Sequence, residues 1–416
     1  MTKTFKYINL ALLGLVVVAL GFGEFYSVFD ISLSWFAAAA LAFVLVLQIF
    51  SDVHSLQYRE RHHRTILFLG VFWAVYGLIQ MLWVSNFAAW MSGYLSLCLN
   101  VFLILVCWYL FRGTDSINLF LRMAIGAWAV FVLFGTYEML TGFHWTEPLS
   151  IWSRDNLRLF FANPNDCGTW LVLCYCFVLF YQAVRRSHIV WFVLAWIPTF
   201  VLVLETGSRA CLIGIVLLPV LYAASKLFIH MTNNSKQALR MLLATGSIAV
   251  TALALIFALY LTVGDAVGLL DFITQDASNA QSNLTRVELI IQSFELITDY
   301  AMMGCGAGQS VQYLGTNAHN LFLELFIEYG FVIGGIFVYM LVSIFARFFH
   351  RRIPAGERAF CFSFTCSFII ISISSSSINR LRIMWVLLVL VFLYHKAEWE
   401  PRRYTVVQRS TLKPLY

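Results

Sequence analysis

The sequence predicts an all-α polytopic membrane protein of about twelve transmembrane helices. Three observations predict it. The 416 residues are 61% hydrophobic and 12% charged, with a mean hydropathy of +0.81; soluble domains carry roughly 25% charged residues. Apolar runs of about 18–22 residues recur along the chain, each long enough to cross a hydrocarbon core of about 30 Å. The runs do not alternate with period two, which excludes a transmembrane barrel.

The first run, at about 8–22, follows Lys3 and Lys6. No small-residue cleavage site follows it, since Gly23-Glu24-Phe25-Tyr26 is bulky, so it reads as a retained helix rather than a signal peptide. The later spans fall at about 32–50, 65–84, 91–111, 118–140, 166–184, 189–205, 210–229, 241–263, 320–346, 359–377 and 381–395. Residues 1–416 form a single transmembrane domain. Residues 264–318 form a long extracytoplasmic loop, too short and too apolar for an independent core, and 396–416 form a basic cytoplasmic tail.

Charge orients the spans. With the N-terminus and C-terminus cytoplasmic, every Lys and Arg falls inside except Arg154, Arg158, Arg209, Arg286, Arg380 and Arg382. That is a strong positive-inside bias. The inner basic residues are spread over every loop, which suits anionic lipid headgroups and speaks against nucleic acid. No Cys/His spacing suits a metal.

The outer face is net acidic, so its arginines stand out. Three polar islands carry costly ionisable groups near the bilayer: Thr206-Gly207-Ser208-Arg209-Ala210, Ser282-Asn283-Leu284-Thr285-Arg286 and Asn317-Ala318-His319-Asn320. Each reads as a helix start, where unpaired N–H groups and the dipole favour anions. Asn163 caps the sixth span, with Pro164 in its first turn. Ser208 or Thr206 caps the eighth, with Arg209 in the first turn. Thr285-x-x-Glu288 reads as a capping box that opens an amphipathic surface helix over 286–299, with apolar Val287, Ile290, Ile291, Phe294 and Ile297 on one face. Asn317 is the expected cap of the tenth, which puts His319 in a first turn that opposes its protonation.

Simpler readings exist for each residue. Arg209 also fits an interfacial arginine that snorkels, and Arg286 an ordinary loop residue. His319 also fits a structural role. Arg154 and Arg158, four apart, share a helical face toward an anion or lie in a solvated loop. Glu324 and Glu328 form a stripe with Asn317 and Asn320 that faces protein or water rather than lipid. Glu324, one turn below His319, either orients the imidazole or makes a structural interhelical bond. Gly304-Cys305-Gly306-Ala307-Gly308 reads as a flexible turn. Cys167 and Cys305, both outside, are a possible disulfide, with two unpaired cysteines the simpler reading.

The islands, in this order, resemble the O-antigen ligase and polymerase family of bacterial membrane glycosyltransferases. The resemblance rests on Asn163-Pro164-Asn165, on Thr206-Gly207-Ser208-Arg209-Ala210, on Arg286 with Asp299 and Gly304-Cys305-Gly306-Ala307-Gly308, and on Ala318-His319-Asn320 with Glu328-Tyr329-Gly330. It covers about 160–345; before that only hydropathy matches. Met303 stands where the family often has proline before Gly304. The resemblance implies a GT-C-type transferase, independent of metal and cofactor, at the outer face of the cytoplasmic membrane. Its donor would be an undecaprenyl-pyrophosphate-linked glycan, and its acceptor a glycan or lipid A-core. Arg209 and Arg286 would hold the pyrophosphate, and His319 would serve the acceptor hydroxyl or the pyrophosphate, with Ser208, Asn320, Glu324, Asn163, Arg154 and Arg158 in support. The chemistry agrees: guanidinium forks neutralise a leaving pyrophosphate without a metal, and the chain has no DxD pair.

The competing expectation is a secondary transporter or lipid-linked oligosaccharide flippase. Seven prolines and no paired broken helices in the two halves argue against it, as do polar sites at the outer mouth rather than the midplane.

Overall fold

A computed structural model describes residues 3–22, 27–28, 31–32, 39–44, 61–111, 114–146, 156–161, 163–185, 189–231, 276–316, 318–374 and 382–394. The helices are α1 (Lys3–Phe22), α2 (Arg61–Ile79, prolonged by the tight turn Gln80–Leu82), α3 (Phe87–Leu110), α4 (Thr114–Thr141), α5 (Pro164–Arg185) and α6 (Ile189–Glu205). They continue with α7 (Arg209–Met231), α8 (Asp276–Asp299), the single turn α9 (Ser310–Leu314), α10 (Leu321–Ala346), α11 (Ala355–Ser374) and α12 (Arg382–Tyr394). The strands among the described residues are two dipeptides, Ser27–Val28 and Ile31–Ser32, paired antiparallel.

Six helices among the described residues are long and apolar enough to cross a membrane: α3, α5, α7, and the stretches Asp115–Thr141, Leu321–Phe349 and Ala355–Ile373. Shorter apolar helices cover Tyr7–Val17, Ile66–Leu82, Val190–Glu205 and Arg382–Tyr394. The predicted span at 241–263 lies outside the described residues, and of that at 32–50 only Ser32, in a strand, and 39–44, as helix, are described. Large apolar side chains stand exposed around the bundle, among them Phe68, Leu133, Trp191, Val220, Tyr339 and Val342. In water such a surface would aggregate; facing lipid it costs nothing. The chain is a multi-pass membrane protein.

Few residues separate α3 from α4, α5 from α6, α6 from α7 and α10 from α11, so these neighbours run antiparallel. With Glu138 near the end of α4 bonded to Arg158 just before α5, Gly214 near the start of α7 beside Ile371 near the end of α11, and Gly93 of α3 against Ala307, the starts of α3, α5, α7 and α10 gather at one end of the bundle. α5 runs through the centre, buried along nearly its whole length, and α12 is buried from Ile383 to Leu393 except at Phe392. α11 packs closely along α7: a Cβ on Gly214 would collide with Ile371.

The tenth predicted span is not one straight helix. At Gly330 the backbone turns to φ +66°, a left-handed value that L side chains rarely adopt, and the helix breaks. The break frees main-chain groups inside an apolar helix long enough to span a membrane, where each needs a partner. A distant segment supplies them. Cys305 N–H donates to the Ile327 carbonyl (2.7 Å), Gly306 N–H to the Glu328 carbonyl (3.1 Å), and Phe331 N–H to the Ala301 carbonyl (2.9 Å).

The glycine segment 304–308 is thus a fixed strap across the break, not the flexible turn expected. It reaches its place because α3 carries Gly93 there: a Cβ at Gly93 would strike the backbone of Ala307 and Gly308 at 2.6 Å. Gly93→Leu should therefore lower the detergent-solubilised protein's stability, by about 1–3 kcal/mol for overpacking of this kind. Gly126→Ala, inside α4 with open space around the new methyl, should not lower it, since alanine is the better helix former. Thermal unfolding followed by size-exclusion fluorescence reads both; equal midpoints for the two variants would contradict the packing described.

Candidate active site

The polar groups at the common end of the bundle form two clusters. The first is built on the starts of α5 and α7. Asn163 caps α5, its Oδ1 accepting from Asn165 N–H (2.9 Å) and its carbonyl from Asp166 and Cys167 N–H, with Pro164 at the first helical position as predicted. Ser208 occupies the cap position of α7, its carbonyl accepting from Leu212 N–H (2.9 Å). Its own N–H donates to Thr206 Oγ1 (3.3 Å), so both predicted cap residues take part. Arg209 is the first helical residue and is exposed, at an end whose dipole and unpaired N–H groups favour an anion. The two starts touch through Gly168, where a Cβ would meet Thr206 Oγ1 and Cys211. Thr169 Oγ1 lies 3.3 Å from Cys211 Sγ.

A short stretch, Asn156–Phe161, braces this cluster. Leu157 N–H donates to the Glu205 carbonyl (3.0 Å) and Asn156 Nδ2 to the Thr206 carbonyl (3.4 Å), which holds the turn at Gly207 (φ +68°) from outside. Arg158 is 2% exposed, and its Nε donates to the Thr146 carbonyl (3.2 Å). Its backbone N–H donates to Glu138 Oε1 (3.2 Å), which also meets His144 Nδ1 at 2.8 Å. Arg158 is thus neither a solvated loop residue nor an open anion ligand: it is buried in the support of the α7 start. Arg154 lies outside the described residues.

The second cluster surrounds the start of α10. Asn320, not Asn317, is the cap: its Oδ1 accepts from Phe322 N–H (3.0 Å) and Leu323 N–H (3.2 Å). Asn317 lies outside the described residues. His319 therefore precedes the helix instead of occupying its first turn, and the dipole argument against its protonation loses its basis. Its φ is +50°; among the described residues the other non-glycine with positive φ is Leu159, beside Arg158. A strained backbone of this kind clusters at functional positions. Glu324 and Glu328 are buried at 2% and 0% exposure, facing protein as the stripe predicted. Glu328 Oε1 accepts from Ser310 Oγ at 2.7 Å.

Arg286 is placed differently from its prediction. α8 begins at Asp276, so Thr285 and Arg286 lie inside the helix, and the capping box does not open it. The physical reason is the stretch Ala277–Asn283, which has neither Gly nor Pro to stop a helix. Arg286 stands one turn before Leu289, which is buried with Ile297, Cys305, Leu314 and Ala318 in a small core under the strap. α8 has two apolar faces. Leu289 and Ile297 are buried, whereas Ile290, Ile291 and Phe294 are exposed. Through Leu289 and Ile297, α8 packs against the segment that includes Ala318, the residue before His319 in sequence. Cys305 and Cys167 are both buried free thiols, as in the simpler reading, and burial pushes the Cys305 thiol well above its ordinary range.

Several supporting residues escaped the sequence reading. Gln80 and Trp83, in the α2–α3 turn, bond to the strap. Glu138 and His144 hold the brace. Gln80 is a polar residue inside an otherwise apolar run, and that was its one visible signal.

Comparison with known proteins follows this geometry. The family model described as O-antigen ligase matches residues 193–340, from within α6 to beyond the Gly330 break, and so includes Arg209, Arg286 and His319. The teichuronic acid biosynthesis protein TuaE of Bacillus subtilis (strain 168) is 25% identical over 399 residues, covering 87% of this chain and 80% of the relative. The resemblance to the O-antigen ligase and polymerase family is borne out, and both findings support a membrane glycan ligase or polymerase.

The cap assignment is directly testable. Asn320→Ala should cost about 1 kcal/mol and speed hydrogen exchange at Phe322 and Leu323 while leaving α5 and α7 untouched. Unchanged protection at those two amides would contradict it.

Proposed function

We propose that this relative of the O-antigen ligases transfers a glycan from undecaprenyl pyrophosphate to an acceptor hydroxyl at the extracytoplasmic face of the cytoplasmic membrane. One observation carries the reading. Arg209, at the first position of α7, and His319, just before the start of α10, belong to helix starts at the same end of the bundle, and Arg286 lies on α8, which packs against the segment leading to His319. Two arginines and a histidine converging on one site would suit a pyrophosphate and an incoming hydroxyl.

The acceptor oxygen attacks the anomeric carbon in line. The new glycosidic C–O bond forms as the bond from that carbon to the pyrophosphate oxygen breaks. The hydroxyl proton passes to a neutral His319 imidazole, and undecaprenyl pyrophosphate leaves with its charge held by Arg209 and Arg286. Planar guanidinium forks bind two phosphate oxygens at once, and in a site shielded from water this neutralisation is worth more than in bulk. Asn163, Ser208 and Asn320 set the helix starts, and Glu138 with Arg158 braces the turn before Arg209. A glycan acceptor is favoured over lipid A-core, because the curated relative is named for the biosynthesis of teichuronic acid. In that case the enzyme is a polymerase.

Purified protein in proteoliposomes with lipid-linked glycan tests this. A ladder of lengths without a further acceptor is expected; a single adduct on lipid A-core would mean a ligase, and movement of donor without bond formation a flippase. His319→Ala should lower transfer by about 10²-fold or more, the usual contribution of a general base. Arg209→Ala and Arg286→Ala should weaken donor use, and Arg→Lys at either position should restore it only in part, since an ammonium lacks the fork. A correctly inserted His319→Ala protein with wild-type transfer at neutral pH would remove His319 from the chemistry.

A further inference from the structure

We propose that Gln80 is a positioning residue: its side-chain amide, in the turn between α2 and α3, fixes the strap that leads to His319. Gln80 is fully buried. Nε2 donates to the Glu328 carbonyl (2.7 Å) and the Met303 carbonyl (3.1 Å), and Oε1 accepts from Ala307 N–H (3.1 Å). All three partners are main-chain groups, so the amide reads where the backbone lies and not which side chains it carries. One of them, Glu328, stands at the Gly330 break; the other two bracket the strap. A single side chain thus joins elements more than 220 residues apart in sequence.

Its neighbours act in the same sense. Trp83 Nε1 donates to the Gly304 carbonyl (2.9 Å) and Tyr76 hydroxyl to the Met303 carbonyl (2.7 Å). Gln309, at the far end of the strap, accepts at Oε1 from Ser85 Oγ (2.9 Å) and donates from Nε2 to the Asn86 carbonyl (2.7 Å). Few side chains fit the Gln80 position. It needs two donors on one atom and an acceptor on the other, which only a carboxamide offers, and asparagine is one methylene too short. A carboxylate would set an oxygen against two carbonyls.

The consequence concerns catalysis, and this part rests on the function proposed above. From Gly308 the chain runs through α9 to His319, and Ser310 on that path is itself bonded to Glu328. A shift of the strap therefore moves the imidazole, whereas Arg209 sits on a separate support. Displacement of a reacting group by about 1 Å can cost about 10²-fold in rate. Loss of Gln80 should then lower kcat and leave donor binding by the first cluster intact. Gln80 also lies outside residues 193–340, so a segment beyond the matched family region completes the site.

The test uses the full chain with Gln80→Met, which keeps the volume and removes the bonds, and Trp83→Phe, which keeps the ring and removes one donor. Hydrogen exchange should rise at the amides of 304–309 in both variants, more in Gln80→Met, with the starts of α5 and α7 unchanged. With lipid-linked glycan, kcat should fall about 10- to 100-fold in Gln80→Met, and by more than any rise in KM for the donor, since only Arg286 of the two arginines rests on the strap's core. Unaltered exchange at 304–309 would overturn the clamp. Raised exchange with full turnover would overturn the positioning role, and the separate His319→Ala assay then decides whether the proposed chemistry falls with it. A rise in KM at constant kcat would also overturn it.

Discussion

The break in α10 at Gly330 is the constraint around which the end of the bundle that holds the candidate site is organised. A helix interrupted within a membrane span leaves carbonyl and N–H groups that water does not reach. Here the carbonyls of Ile327 and Glu328 and the N–H of Phe331 are all taken up by residues 301–306. The segment between α8 and α10 is consequently anchored to the broken helix. Because the strap itself needs left-handed backbone at Gly304, Gly306 and Gly308, only a glycine-rich sequence passes through the available space.

Anchoring the strap organises the second cluster. α8 docks on α10 through Leu289 and Ile297, and the same small core includes Ala318, next to His319. The first cluster is independent of this arrangement. It depends on the brace in which Glu138 gathers Arg158 and His144, and on Gly168, which lets the α5 and α7 starts approach. The division suits the proposed chemistry, with one rigid support under an anion-binding helix start and another under a residue that handles a proton. Pre-organisation of this kind places charge where it develops, without reorganisation during the reaction.

Local signals that act within one turn were legible in the sequence. Asn163-Pro164 and Ser208-Arg209 predicted helix starts that the structure contains, because a cap and its first turn are neighbours along the chain. The same reasoning misplaced the starts at Arg286 and Asn317. In α8 a capping-box pattern sits inside a helix that has nothing to stop it before Asp276. At α10 the sequence offers two asparagines, and it is Asn320 whose Oδ1 accepts from the N–H groups of Phe322 and Leu323. Contacts between residues remote in sequence were not legible at all. Nothing local links Gln80 to Glu328, or reveals that Arg158 is buried, since both facts depend on how distant helices pack.

The central claim is that both clusters serve one ligand, and a double-mutant cycle tests it most directly. Binding of undecaprenyl pyrophosphate would be measured for the wild-type protein, Arg209→Ala, Arg286→Ala and the double variant, with the strap's exchange protection as a check on folding. Two arginines that share one pyrophosphate should be coupled, by roughly 0.5–3 kcal/mol, so that the double variant departs from the sum of the singles. Strict additivity, or a single variant without effect on binding, would contradict the account.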